Sequence, residues 1–228
     1  MKFTDIISLN ITEDDIKQAI LRAKEQDFTD NLRHRHPNVA FDSKLRGYIG
    51  EIGLKKWLAQ NNIHIETTNE MDDSTGMDID FKYKDLDLEL KTSLIPDKDK
   101  NLENVFRRRD IKIIKREEKI EDLKGDVHIQ IFYKHLRQKK DKWLKSQNID
   151  LQSADIDYLY RALGAQRYIN ETLLFCWIDK NTLVERIKAL PPAQRTWGYA
   201  QRRFWVCPLR ESFPPVELIR FLSKRAEV

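Results

Sequence analysis

Cysteine is nearly absent from this chain of 228 residues: Cys176 and Cys207 lie far apart, with no CxxC and no Cys/His pair at ligand spacing. That excludes a disulfide framework and a structural zinc site. No apolar run approaches the roughly 18–20 residues needed to span a bilayer, and the N-terminus MKFTDIISLNITEDD lacks the basic-then-apolar order of a signal peptide. These absences imply a cytoplasmic protein with no membrane partner. There is no internal repeat or low-complexity linker, so residues 1–228 read as one domain. Intrinsic disorder is excluded by 10% aromatic and 40% hydrophobic residues. Glycine is also scarce, and three of the seven glycines crowd into one segment.

That segment, SKLRGYIGEIGLKKWLAQNN, starts near Ser43 and carries Gly47, Gly50 and Gly53 at i, i+3 and i+6 of a helical pattern. Each interior glycine costs a helix about 1 kcal/mol relative to alanine. A helix keeping three implies a face that another backbone or a ligand must approach closely. Leu45, Ile49 and Ile52 form one apolar face, while Leu54, Leu58 and Gly47 fall close to Glu51. Glu51 is then either a functional carboxylate among small and apolar neighbours or a surface residue paired with Lys55 at i+4. Before it, Thr12 and Asp15 cap a first helix over about 12–26. A loop over 27–42 carries His34 and His36, read either as metal or phosphate ligands or as solvated loop histidines.

Residues 66–89 hold nine acids against Lys82 and Lys84. Within them Met77, Ile79 and Phe81 alternate on one strand, Leu86, Leu88 and Leu90 alternate on the next, and the turn falls near Lys84-Asp85. The opposite faces of this hairpin present Asp78, Asp80 and Lys82 beside Asp87, Glu89 and Lys91. Neighbouring strands lie only about 4.8 Å apart, so carboxylates and a lysine converge. Like charges so close destabilise the fold unless a cation is shared. Such a patch is a cage for a hard divalent cation, or else an exposed hairpin face laced with salt bridges.

The order Gly47-Tyr48-Ile49-Gly50-Glu51-Ile52-Gly53, then Gly76-Met77-Asp78, then Leu88-Glu89-Leu90-Lys91-Thr92 resembles the PD-(D/E)xK nuclease superfamily, which includes many type II restriction endonucleases. The motif match covers about residues 43–93, and no proline precedes the aspartate as it does in many members. The resemblance implies an α/β fold, with a mixed central sheet flanked by helices and a restriction-endonuclease-like core over about 43–180. It also implies Asp78 and Glu89 as metal ligands, Lys91 as the motif lysine and Glu51 as the auxiliary carboxylate. Asp80 lies on the same face as Asp78, which is the preferred ligand. The implied activity is Mg²⁺-dependent hydrolysis of double-stranded DNA, with Mn²⁺ as a substitute. A type II restriction enzyme leads, acting as a homodimer on a palindromic site with a separate cognate methyltransferase. A repair or structure-specific nuclease and a non-catalytic DNA-binding protein on this scaffold are the alternatives.

The net charge of +4 (41 Lys plus Arg, 37 Asp plus Glu) hides a cancellation. Against the acidic hairpin, residues 107–145 carry 14 bases and 7 acids, and 186–228 carry 9 bases and 3 acids. A local acidic pocket in a basic surround suits a metal-dependent enzyme acting on a polyanion. Arg107, Arg108 and Arg109, Lys139, Lys140 and Lys142, and Arg202 and Arg203 are either phosphate contacts or the solvated face of a helix, the second reading holding at least as well for Lys139 to Lys142. Arg195, Arg202 and Arg203 are either base readers or further phosphate or surface charges. The C-terminal segment 186–228 would then be a basic extension contributing to DNA recognition. His128 and Gln130 share a face of the strand 127–133 and either line the site or serve the core. Residues 105–122 and 154–171 read as helices, 173–178 as a buried strand and 180–189 as a helix. A last helix opens at Pro214-Pro215.

Overall fold

A computed structural model describes residues 1–25, 35–68, 79–199 and 202–226. It is an α/β structure built on a mixed six-stranded sheet flanked by helices. The sheet contains β1 (Ile7–Ser8), β2 (Glu66–Thr67), β3 (Phe81–Tyr83), β4 (Leu86–Ile95), β6 (Val127–Leu136) and β7 (Thr172–Asp179) in the order β1-β7-β6-β4-β3-β2. The central pair β4 and β6 is parallel and the other pairs are antiparallel. A second sheet joins β5 (Ile113–Ile114), β9 (Arg202–Trp205) and β8 (Thr196–Tyr199). No described helix is long and apolar enough to cross a membrane.

Both faces of the main sheet are covered. On one face Leu88, Leu90, Ile129 and Ile131 pack with α1 (Glu13–Glu25) and α2 (Pro37–Ala59). On the other, Phe132, Phe175 and Ile178 pack with α3 (Leu102–Arg108), α7 (Lys180–Ala189) and the small sheet. The remaining helices are α4 (Arg137–Ser146), α5 (Ile156–Ala162), α6 (Tyr168–Glu171) and α8 (Pro215–Ala226). Helix α1 opens on the expected reciprocal cap: Thr12 Oγ1 accepts from Asp15 N at 3.2 Å, and Asp15 Oδ2 accepts from Thr12 N at 2.8 Å. Asp15 also takes Lys56 Nζ at 2.6 Å, tying α1 to α2.

Two sequence expectations need correction. Helix α2 begins at Pro37 rather than near Ser43, because His36 Nδ1 accepts from Asn38 N at 3.3 Å and proline suits a first helical turn. His36 is therefore a helix cap, while His34 lies outside the described residues. Residues 105–122 are not one helix. Helix α3 ends at Arg108, and Ile111 N then donates to Cys207 O at 2.8 Å as the chain enters the small sheet. Ile111 and Ile113 are both fully buried, a period of two that the surrounding charges obscure.

The glycines of α2 have separate explanations. A Cβ at Gly50 would stand 2.8 Å from Thr92 Cγ2, and one at Gly53 would stand 2.6 Å from Ile11 Cδ1. Gly50 thus lets the helix lie directly on β4. At Gly47 a Cβ would meet no described atom within 4 Å, so close approach among the described residues does not explain that glycine. Gly47→Ala is expected to stabilise by about 1 kcal/mol through helix propensity. Gly50→Ala is expected to destabilise by about 1–3 kcal/mol, because the β-branched Thr92 cannot swing aside. Urea denaturation of the two variants separates the cases.

Candidate active site

The hairpin places its charged side chains through the register of its strands. Phe81 pairs with Leu88 and Lys82 with Asp87, and the turn is made by Lys84 at φ 54 and Asp85. Asp80 N donates to Leu88 O at 3.0 Å, extending the ladder one residue beyond β3. Asp80 therefore stands across from Glu89, and its Oδ2 accepts from Leu90 N at 2.6 Å. Of the first strand expected over 77–81, Asp78 lies outside the described residues.

Glu89 is 8% exposed, which rules out a fully solvated salt-bridge face for this part of the hairpin. Its two oxygens are shared: Oε1 takes Lys91 Nζ at 2.9 Å and Oε2 meets His128 Nδ1 at 2.7 Å. The parallel register of β4 and β6 makes this possible by pairing Glu89 with His128 and Lys91 with Gln130. Burial works against ionisation of Glu89, but Lys91 and His128 hold its carboxyl below the usual range. Gln130 fixes the strands behind the site. Its Nε2 donates to Lys91 O at 2.9 Å and Ser93 Oγ at 3.1 Å, and its Oε1 accepts from Lys112 N at 3.2 Å. Gly125, at φ 81, lets the chain turn tightly into β6, since a Cβ there would stand 3.3 Å from His128 Cε1.

Asp80 behaves differently from Glu89. Burial, reinforced by the negative charges of Glu51 and Glu89, pushes its carboxyl up to about 7, although Lys91 and the Leu90 N–H oppose the shift. Glu51, Asp80, Glu89 and Lys91 are thus one electrostatic group contributed by a helix and two strands. Arg22 joins it, with its guanidinium 3.1 Å from Glu51 Oε2 and 4.2 Å above the Tyr48 ring. No local pattern in the sequence marks Arg22 for this role, because the contact crosses from α1 to α2.

Compared with known proteins, the chain matches no family model, no curated protein and no solved structure. The side chains themselves must carry the functional argument. Among the described residues no three His, Cys, Asp or Glu side chains are grouped to form a complete metal cage. Two neighbouring carboxylates nevertheless fit Mg²⁺, which keeps most of its waters and is bound by one or two carboxylates together with substrate phosphate. Asp80 and Glu89 are the described pair, and the raised Asp80 is a carboxylate that a cation would stabilise in its charged form.

The shift at Asp80 has a stability consequence. Its folded value lies above the ordinary 3.8, so its contribution is fully present below about pH 4 and is lost as pH rises through about 7. Asp80→Asn removes that loss. The variant is expected to melt higher than the native protein at pH 8; a native protein whose Asp80 and Glu89 take Mg²⁺ would also melt higher with the ion, and the variant would not. Calorimetry with and without Mg²⁺ checks both.

The arginines proposed for DNA are divided. Arg109 is held by Asp99 at 2.6 Å, and Arg195 donates to Leu190 O at 2.9 Å and Lys188 O at 3.0 Å at the end of α7. Both are already committed inside the protein. Arg107 pairs with Glu103 on the surface, Arg108 and Arg203 are exposed, and Arg202 is half-buried. Phe204 and Trp205 are core residues, and Trp197 stacks on Phe204 at 4.5 Å with a 16° angle between rings.

Proposed function

We propose that this chain is a Mg²⁺-dependent endonuclease of the PD-(D/E)xK type that hydrolyses double-stranded DNA at specific sites, as a type II restriction enzyme does, with Mn²⁺ as a substitute ion. The observation that carries this reading is the mutual electrostatic field of Glu51, Asp80, Glu89 and Lys91, one helix carboxylate brought to an Asp-strand, Glu-x-Lys-strand hairpin. In this reading the sheet and its two-sided helices are a restriction-endonuclease-like core. Segment 186–228 is the basic extension that meets DNA, with Arg203 exposed on β9. Target palindromy makes the working form a homodimer, and a cognate methyltransferase is a separate chain.

Asp80 and Glu89 are the described residues that would hold the ion, which would supply charge neutralisation at the scissile phosphate. Glu89 is ready for this role because Lys91 and His128 keep it ionised. Lys91 presents its ammonium beside Glu89, where it hydrogen-bonds a non-bridging phosphate oxygen as negative charge develops there. Glu51 orients the attacking water, and Arg22 sets the position of its carboxylate. The water oxygen bonds to phosphorus as the bond to the 3′ oxygen breaks; the attacking water gives its proton to solvent, and the departing 3′ oxygen takes one from solvent. The products are a 5′-phosphate and a 3′-hydroxyl.

The test is incubation of the whole protein with intact phage and plasmid DNA in Mg²⁺. Discrete fragments that disappear with EDTA are expected. No cleavage of varied DNA in either Mg²⁺ or Mn²⁺ overturns catalysis, and a smear overturns site specificity.

A further inference from the structure

At the opposite end of β6 lies a cavity of about 370 Å³ between the end of that strand, α4 and the α5–α6 turn. It is far from the hairpin: His135 follows His128 by seven residues on one strand, roughly 23 Å at the usual strand rise. The volume falls in the range of small-molecule sites, about 300–1,000 Å³.

Four exposed cations line it: Lys134, Lys139, Arg161 and Arg167. None of the four has an ion pair with a described carboxylate. The fifth cation, Lys140, is spent internally on Asp42 at 3.3 Å and on the face of Tyr168. The lining has no acidic side chain. His135 also borders the cavity and is kept neutral: burial, with Lys140 and Arg167 nearby, pushes it down to about 4. Its Nε2 is 2.9 Å from Glu171 Oε2 but is not aligned for a hydrogen bond. Glu171, beside Arg167, Lys134 and Lys140, and Asp157, beside Arg161, are the nearby carboxylates, so the four lining cations outnumber the acids around the cavity.

Trp143 adds a second kind of contact. It is 40% exposed, and its edge rests against Gly164, where a Cβ would stand 3.2 Å from Trp143 Cη2. Gly164 has φ 61, so both the turn and the seat of the indole favour glycine. An anchored, partly open indole beside two arginines and two lysines suits a ligand with an aromatic base and a phosphate. Guanidinium groups bind phosphate by paired hydrogen bonds, and indole rings stack on bases.

We infer that the cavity between β6, α4 and the α5–α6 turn binds a nucleotide, its phosphate on Arg161, Arg167 and Lys139 and its base on Trp143. The ligand is either a free mononucleotide or the terminal nucleotide of a strand, which share this chemistry. The inference stands apart from the nuclease reading, since it uses none of the hairpin residues.

Calorimetric titration of the full chain in EDTA tests it, with deoxyadenosine monophosphate, adenosine, inorganic phosphate and a short DNA strand bearing either a 5′-phosphate or a 5′-hydroxyl. The monophosphate or the 5′-phosphorylated strand is expected to bind more tightly than adenosine, phosphate or the 5′-hydroxyl strand. Arg167→Ala should weaken that binding about tenfold, the loss of one charged hydrogen bond. Trp143→Ala should weaken nucleotide but not inorganic phosphate, and Lys98→Ala, an exposed lysine outside the cavity, should change neither. Binding of the monophosphate assigns a free nucleotide, and binding of the phosphorylated strand alone assigns a strand end. Equal binding by Arg167→Ala, Lys139→Ala and native protein overturns the inference, as does no binding of either phosphorylated ligand.

Discussion

Lys91→Ala is expected to lower the rate of DNA cleavage in Mg²⁺ by about 10²–10³-fold, the usual cost of removing one donor aimed at a developing oxyanion. Duplex binding in Ca²⁺ should stay within about twofold, because one phosphate contact among several makes a small part of total affinity. The fold should survive. Glu89 keeps its 2.7 Å contact with His128, and β4 is held to β6 by a ladder to which side chains contribute little. Lys91→Arg should not restore the rate, since a planar guanidinium does not occupy the place of a compact ammonium. Single-turnover cleavage of a plasmid, paired with a gel-shift assay in Ca²⁺, reads both quantities. Cleavage by Lys91→Ala at the native rate would remove Lys91 from the site and with it the assignment of Glu89. Asp78→Ala and Asp80→Ala belong in the same experiment, where the larger loss assigns the metal-binding aspartate.

That last comparison shows where sequence reasoning stops. Alternation in period two is legible in Met77 to Phe81 and in Leu86 to Leu90, and it places charged residues on one face. The same period puts Asp78 and Asp80 on that face together, so pattern alone does not choose between them. What pattern cannot supply is register, a contact between strands: Phe81 against Leu88 sets Asp80 opposite Glu89, while Asp78 lies outside the described residues. His128 and Gln130 were placed on one face by the same rule. Which residues they would meet depended on the parallel offset of β6 and β4, joined through more than thirty intervening residues. The long strands β4, β6 and β7 and helices α1 and α7 were readable because several residues repeat one period. The small sheet was not, since its strands of two to four residues are shorter than any pattern. The 27–42 stretch reads as a loop, and Lys140 as one cation of a basic run, for a related reason. Pro37 and Asn38 resemble loop residues as much as a helix start, and nothing local distinguishes Lys140 from its exposed neighbours Lys139 and Lys142.

Asp42 and Lys140 carry the largest expected effect on stability. Asp42 is fully buried. Its Oδ2 takes Arg46 Nε at 2.9 Å, and its Oδ1 takes Tyr168 Oη at 2.6 Å and Lys140 Nζ at 3.3 Å. Asp42→Ala leaves two nearly buried cations without their anion, which costs about 3–5 kcal/mol in comparable sites. Asp42→Asn keeps hydrogen-bonding capacity but not charge, so its loss should be smaller. The pH dependence identifies the cause. Burial opposes ionisation of Asp42, but Lys140 and Arg46 hold its carboxyl below the ordinary 3.8. Its contribution is therefore present above about pH 4 and is lost as pH falls through the lower folded value. Both variants should lack that acid-side loss. Lys140 acts on the basic side: burial lowers its folded value even with Asp42 opposing, and without Asp42 it falls further. A base with a depressed folded value gains stability as pH rises through that value, so Asp42→Ala should recover part of its deficit near pH 10. Urea denaturation at neutral pH and near pH 10 measures the difference. A deficit that does not change between the two would mean that lost packing around Asp42, rather than stranded charge, destabilises the variant.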